Sequence, residues 1–286
     1  MEKTMTQLIN PLHFTQATDL LRSFFMNKGF LEVHTQNRLS ILAACEDPTT
    51  IATYDYAGQK WPLPQTGQMW LEHELLTRPD VPGFFCVSTS YRQEPNPVAG
   101  RHELIFPMFE FEFPGTILDL EKMERELLDY LMWAEGSKIV CKDYLEWCDI
   151  YGVKELEHEH EELMCHNFNG RVAMIKNFPN YTSPFWNMKQ NDDGETAAKI
   201  DVIIAGQETI GSAERATDKE QMRDMFHTIS DGGYANILFN TFGKERVEKE
   251  LDDFLAMDFF PRVGGGIGLT RFIRALEMYQ YSNYEK

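Results

Sequence analysis

Long apolar runs are missing from this 286-residue chain. No stretch approaches the about 18 consecutive apolar residues that a membrane helix requires, so no membrane partner is expected. The opening stretch, "MEKTMTQLINPLHF", lacks the apolar segment of a secretory leader. Cysteine is scarce and odd in number: Cys45, Cys86, Cys141, Cys148 and Cys165 form no C-x-x-C pair. That argues against a disulfide framework and for a reducing, cytoplasmic setting. Positive charge is also short, with 27 Lys and Arg against 45 Asp and Glu and a formal net charge of −18. Nucleic-acid surfaces need clustered Lys and Arg, so DNA is not expected as a partner. Internal repeats and low-complexity linkers are absent as well. What remains is 43% hydrophobic and 25% charged, the balance of a soluble globular chain. The length suits one large domain or two small ones.

Periodicity outlines the elements. In "FTQATDLLRSFFMNKGF", Phe14, Ala17, Leu21 and Phe24 or Phe25 share a helical face, and Lys28 and Gly29 supply the stop. "FLEVHT" reads as a strand. "FFCVSTSYRQE" and "ELIFPMFEFEF" read as two more, joined by the turn-rich "PNPVAG". After Pro114 and Gly115 comes an amphipathic helix, "TILDLEKMERELLDYLMWAEG". The acidic "YLEWCDIYGVKELEHEHEELMCHNF" reads as helical. "DVIIAG" is a strand at 201–206, with helical segments around 217–228 and 234–257. The expectation is one α+β domain over 1–286, an antiparallel sheet flanked by helices and carrying the site.

Three stretches hold chemistry. In "PRVGGGIGLTR" the glycines form G-x-G-x-G-x-x-R from Gly264 to Arg271. A Rossmann fingerprint would need a following strand, and a P-loop would need Lys and Ser or Thr after its last glycine. Neither fits. The run is either a packed turn before the last helix or a site where backbone meets a nucleotide. In "YRQEPNPVAGRHELIFPMFEFE", strand alternation puts Arg92 with Glu94, and Phe106 with Met108, Glu110 and Glu112. Arg92, Arg101 and His102 beside an aromatic ring suit a polyphosphate carrying a flat base, since the arginine fork donates two bonds at once. A solvated charged hairpin is the plainer alternative. In "DVIIAGQETIGSAER", Asp201, Glu208 and Arg215 are spaced by seven. Two carboxylates can hold Mg²⁺ carried by a nucleotide, leaving Arg215 to grip a small substrate. The plainer alternative has Asp201 capping a strand and Glu208 pairing with a lysine.

In this order the three resemble the signature motifs of the class II aminoacyl-tRNA synthetase catalytic core, in the aspartyl, asparaginyl and lysyl subclass. Motif 1 spans about 20–36, around Gly29-Phe30-x-Glu32-Val33. Motif 2 spans about 86–112 and motif 3 about 260–280. The resemblance implies the fold shared with biotinyl ligases, a homodimer built on motif 1, and ATP with Mg²⁺ as cofactors. It assigns Arg92 to the α-phosphate, with Phe106 and Arg271 around the adenine. Arg101 and His102 would reach the outer phosphates. Glu94, Gly266 and Gly268 complete the ATP site. Glu110 would join Asp201 and Glu208 around ribose and phosphates, with Mg²⁺ on Asp201 and Glu208. Arg92, Glu208 and Arg271 would carry catalysis. The amino acid would meet Gln68 and Glu72 of "TGQMWLE", an element closer to the asparaginyl form, and Arg215, which reads the side chain.

Several positions depart from that pattern. Gln36 stands where motif 1 usually has proline, Ile105 where a glutamate precedes the motif 2 phenylalanine, and Thr270 where an acidic residue precedes the arginine. The glycine run looks closer to ammonia-dependent asparagine synthetase, and no anticodon-binding domain is expected. The chain is therefore expected to activate aspartate, or asparagine after it, as an acyl-adenylate in an asparagine-synthetase-like or other small-molecule ligase. The alternatives are an aminoacyl transfer to tRNA or a protein, with tRNA possible but not favoured, and a non-catalytic regulatory paralogue. His158, His160, Cys165 and His166 lie on an acidic helix whose side chains point around it, so zinc is not expected there.

Overall fold

The computed structural model describes residues 8–35, 39–41, 48–95, 97, 103–133, 139–167, 172–182 and 184–281. Its first helix, α1 (Pro11–Asn27), starts where Asn10 accepts a hydrogen bond from the Leu12 amide at 2.9 Å and Pro11 takes the first helical position. Ala17, Leu21, Phe24 and Phe25 are buried along one face. The Phe25 ring sits 5.0 to 5.3 Å from those of Phe30, Phe109 and Phe111, which pins the helix to a sheet.

Ten strands follow: β1 (Leu31–Glu32), β2 (Thr53–Tyr56), β3 (Gln59–Pro62), β4 (Phe84–Tyr91), β5 (Ile105–Pro114), β6 (Val140–Asp143), β7 (Val172–Pro179), β8 (Thr196–Ile204), β9 (Gln207–Glu214) and β10 (Arg262–Gly268). β2 and β3 make a separate hairpin. The other eight form one sheet in the order β1-β4-β5-β10-β9-β8-β7-β6. Its six inner strands are antiparallel, as expected, but both edge pairings, β1 with β4 and β6 with β7, are parallel.

The remaining helices are α2 (Gln68–Thr77), α3 (Ile117–Tyr130), α4 (Tyr144–Tyr151), α5 (His158–Asn167), α6 (Lys219–Thr228), α7 (Gly233–Phe242), α8 (Lys244–Leu255) and α9 (Leu269–Tyr281). Helices α1, α3 and α9 bury one sheet face, where Phe109, Phe111, Phe113, Val202, Val263 and Ile267 form the main core. A second core joins α6, α7 and α8 around Trp186, whose ring stands edge-on to Phe226 and Phe254.

Several expectations change. The strand expected in "FLEVHT" is reduced to the two residues of β1. The acidic stretch expected as one helix is two, broken at Gly152 (φ 67°), and the later one is broken at Gly243 (φ 91°). Both glycines take a backbone twist that other residues resist. The glycine run is neither a turn nor a loop: it is β10, at the centre of the sheet.

Candidate active site

Strand alternation turns Phe109, Phe111 and Phe113 into the main core and leaves Phe106, Met108, Glu110 and Glu112 facing the other way. On that face the register lines up a row across four strands. Glu110 pairs with Gly266, Gly266 with Gly211, and Gly211 with Asp201. Two carboxylates thus flank two glycines, about 14 Å apart by strand spacing. Between them lies a floor of bare backbone. Above it opens a cleft of about 350 Å³, lined by Arg92, Glu94, Phe106, Glu208, Gly268 and Arg271 among others.

The Arg92 guanidinium lies over the Phe106 ring at 5.4 Å on one side. On the other, Arg271 donates to the Glu208 carbonyl at 2.5 Å and stands 3.8 Å from its carboxylate. Gln65, Thr66, Gln68, Glu103, Met108, Thr209 and Thr270 complete the lining. Gln65, Thr66, Glu103, Thr209 and Gly211 have no role assigned from sequence, although all but Gln65 lie inside the quoted stretches; the fold brings them in as neighbours of residues that do. Burial pushes the Glu103 carboxyl up, and Arg271 opposes that shift. Arg101, His102 and Gln36 lie outside the described residues.

Glu110 lines the cleft, yet its carboxylate is occupied. It accepts from the Gly67 amide at 2.8 Å, from Ser88 at 2.5 Å and from the Thr66 hydroxyl. It caps the N-terminus of α2, where an anion is favoured. Burial still raises its pKa. It is therefore not a bare oxygen for a cation. Asp201 and Glu208 fit that role better. A Cβ on Gly211 would stand 2.9 Å from a Glu208 oxygen and 3.6 Å from an Asp201 oxygen, so the glycine keeps the gap between the two carboxylates open. That Asp201 oxygen is buried with no hydrogen-bond donor among the described residues, while its other oxygen accepts from Lys199 at 2.8 Å. Burial pushes the Asp201 carboxyl up to about 7, against the pull of Lys199. Among the described residues no group of three His, Cys, Asp or Glu is placed to hold a metal. Mg²⁺ needs no such group: one or two carboxylates plus substrate phosphates suffice. The helix bearing His158 and His160 is used differently, with His160 Nδ1 accepting from the Glu157 amide at 2.7 Å.

The residues expected to read the amino acid stand apart from the cleft. Glu72 and Arg215 do not line it; Gln68 does. Behind Gln68 is a sealed cluster in which Gln68, Glu72, Glu112, Asn187, Arg215 and Arg262 are each at most 1% exposed. Arg215 is not free, as had been expected. Its Nε and one terminal nitrogen donate to the two oxygens of Glu112, each at 3.1 Å, and the latter nitrogen also reaches Gln68 Oε1 at 2.9 Å. Arg262 holds Glu72 through two nitrogens at 3.0 and 2.5 Å, and Asn187 donates to the other Glu72 oxygen at 2.8 Å. Gly264 makes this possible, because a Cβ there would fall 1.6 Å from a Glu112 oxygen. Burial pushes the Glu112 carboxyl up to about 7 despite Arg215, with the Glu72 carboxylate adding to the rise. Gln68 Nε2 is buried and has no hydrogen-bond acceptor among the described residues. Arg262 was open to sequence reasoning, since period 2 sets it on the same face as Gly264 and Gly266.

Comparison with known proteins gives the family and the fold. The family model for tRNA synthetases class II (D, K and N) matches residues 8–280. The chain is 34% identical over 125 residues to the asparagine–tRNA ligase of Mycoplasma mobile, covering 42% of this chain and 28% of the relative. It is 25% identical over 242 residues to a cytoplasmic aspartate–tRNA ligase of Arabidopsis thaliana, covering 72% and 44%. The chain thus spans less than half the length of these relatives. The solved structure of asparaginyl-tRNA synthetase from Pyrococcus horikoshii, complexed with asparaginyl-adenylate, superposes with a TM-score of 0.74. It shares 18% identity and covers 93% of this chain and 65% of its own.

Proposed function

Because the chain belongs to the class II tRNA synthetase family of the D, K and N type, we propose that it activates an amino acid with ATP, aspartate first and asparagine second. The observation that carries this reading is the backbone floor of Gly211 and Gly266 between Arg92 and Phe106 on one side and Glu208 and Arg271 on the other. A flat base and a phosphate chain fit such a floor, and the two arginines stand where charge must be met. Phe106 and Arg271 would take the adenine, and Arg92 the α-phosphate. Asp201 and Glu208 would hold Mg²⁺, which when bound neutralises the phosphates.

In the reaction, a substrate carboxylate oxygen attacks the α-phosphorus, pyrophosphate leaves, and a mixed anhydride with AMP forms. No protein nucleophile is needed. Positioning and preorganised charge lower the barrier. Arg215, reached through Gln68, would hold the substrate group that is not activated. If that is the α-carboxylate of aspartate, the β-carboxylate is activated. Ammonia then attacks the acyl carbon and AMP leaves, giving asparagine. A small amine acceptor is favoured by the net charge of −18, which repels a polyanion. The second reading, transfer to tRNA, is favoured by the tRNA ligases to which the chain is similar.

Pyrophosphate exchange screened over the twenty amino acids, with and without ammonia, tests the proposal. Exchange with aspartate and ammonia-dependent AMP release support it, and no exchange with any amino acid refutes it. A homodimer belongs to the same reading, supported by the exposed apolar side chains Leu12, Met26 and Leu31 on α1 and β1. A clean monomer in sedimentation at micromolar concentration would refute that part.

A further inference from the structure

The sealed cluster behind Gln68 holds two glutamates against two arginines, and each charge is already matched. A substrate carboxylate arriving at Arg215 finds Glu112 in its place, gripping the guanidinium with both oxygens. We propose that Glu112 is a built-in rival of the substrate carboxylate, so that aspartate binds together with one proton on Glu112 whereas asparagine binds with none. This rests on the reading that Arg215 holds a substrate group.

The argument begins with charge. The cluster is shut off from bulk solvent, with Glu112, Glu72 and Arg262 at 0% exposed and Arg215 at 1%. A third carboxylate would leave one negative charge unmatched there, and an unmatched buried charge is among the costliest arrangements in a protein. Protonating one of the carboxylates removes the excess. Three elements face Glu112: Arg215 at the end of β9, Glu72 and Gln68 on α2, and Arg262 with Gly264 on β10. Glu72 is the more firmly held carboxylate, because Arg262 grips one of its oxygens twice and Asn187 donates to the other. Among the described residues Glu112 accepts hydrogen bonds from Arg215 alone, the group that the incoming carboxylate would take over, while Arg262 adds only its charge. Its pKa of about 7 in the closed cluster puts the proton within easy reach at neutral pH. An amide brings no charge, so asparagine can meet Arg215 through its oxygen while Glu112 stays ionised.

Aspartate has two carboxylates, so one reaches Arg215 whichever is activated. The proton count is the same for both chemistries considered above. The sign follows from linkage. Below pH 7 Glu112 already carries its proton and aspartate affinity is flat. Above pH 7 the proton must be taken up, and the Kd for aspartate rises about tenfold per pH unit. The Kd for asparagine stays level through that range.

Titration calorimetry at pH 8 in two buffers of different ionisation enthalpy counts the protons directly. One proton taken up per aspartate and none per asparagine is the expected result. Glu112→Gln keeps the shape and removes the titration, so its aspartate affinity should be level from pH 6 to 9 and at least about tenfold tighter than wild type at pH 8. Aspartate binding to the wild type without proton uptake overturns the proposal, and that measurement needs no variant. Failure of both amino acids to bind at pH 6 overturns the substrate reading, and this proposal with it.

Discussion

Gly264 and Gly266 point to the same face of β10, two positions apart, and open onto different compartments. The space above Gly266 is entered by the Met108 methyl and opens beside it onto the cleft, which Glu110 and Gly211 also line. The space above Gly264 is filled by the Glu112 carboxylate and belongs to the sealed cluster. In the cleft, Arg92 and Arg271 are partly exposed, and Arg271 leans on Glu208. In the cluster, the arginines are fully buried and bound twice over. The same residue type does both jobs, and burial decides which. A half-exposed arginine contributes to ligand contact and little to stability, whereas a buried paired one cannot be removed without stranding its partner.

Substitutions can break this comparison. Arg215→Leu should have the largest effect, because it leaves Glu112 buried without its partner. The expected loss is about 3–5 kcal/mol of stability, read by denaturant titration. The folded fraction should still bind ATP but lose amino-acid activation at least about a hundredfold, or roughly 2.7 kcal/mol. If ATP binding collapses instead, Arg215 belongs to the nucleotide site. Arg271→Ala comes next: pyrophosphate exchange should fall by about 3 kcal/mol of barrier or more, while stability stays within about 0.5 kcal/mol of wild type. Wild-type exchange in that variant would remove Arg271 from the mechanism. Gly211→Ala should act least. The added methyl would crowd the tip of Glu208 and touch an Asp201 oxygen at ordinary contact distance, so the fold should hold while Glu208 turns away from Asp201. The Mg²⁺ concentration for half-maximal exchange should rise about tenfold, equivalent to about 1.4 kcal/mol. An unchanged Mg²⁺ requirement would mean that the two carboxylates do not share an ion.

How far such contrasts can be read from sequence depends on the period of the element. Phe106, Met108, Glu110 and Glu112 are assigned to one face by alternation alone, because the pleat repeats every second residue. β10 resists that reading. Four of the five residues 264–268 are glycine, which has low strand propensity. What keeps them in a strand is the neighbouring side chains that fill their gaps, Glu112 at Gly264, Ser212 at Gly265 and Met108 at Gly266. Partners of Arg215 are hidden for a different reason. Gln68 and Glu72 come from α2 and Glu112 from β5, so the cluster exists only once the sheet has closed. Spacing within one segment, as in Asp201, Glu208 and Arg215, is visible; convergence of distant segments is not. The contacts that occupy Glu110, a buried carboxylate at a helix start, are likewise tertiary.

The two short parallel strands at the sheet's borders bear on how the chain behaves when crowded. A sheet with long free edges invites other chains to add strands to it. Here one border strand has two residues, and Arg22 clamps its Glu32 with nitrogens at 2.9 and 3.0 Å from the carboxylate oxygens. The other border strand has four residues and includes Lys142 and Asp143. Neither offers enough unpaired backbone to template an intermolecular sheet. At these two borders copies are left to meet through side chains, which can part again, and that favours reversible pairing over aggregation.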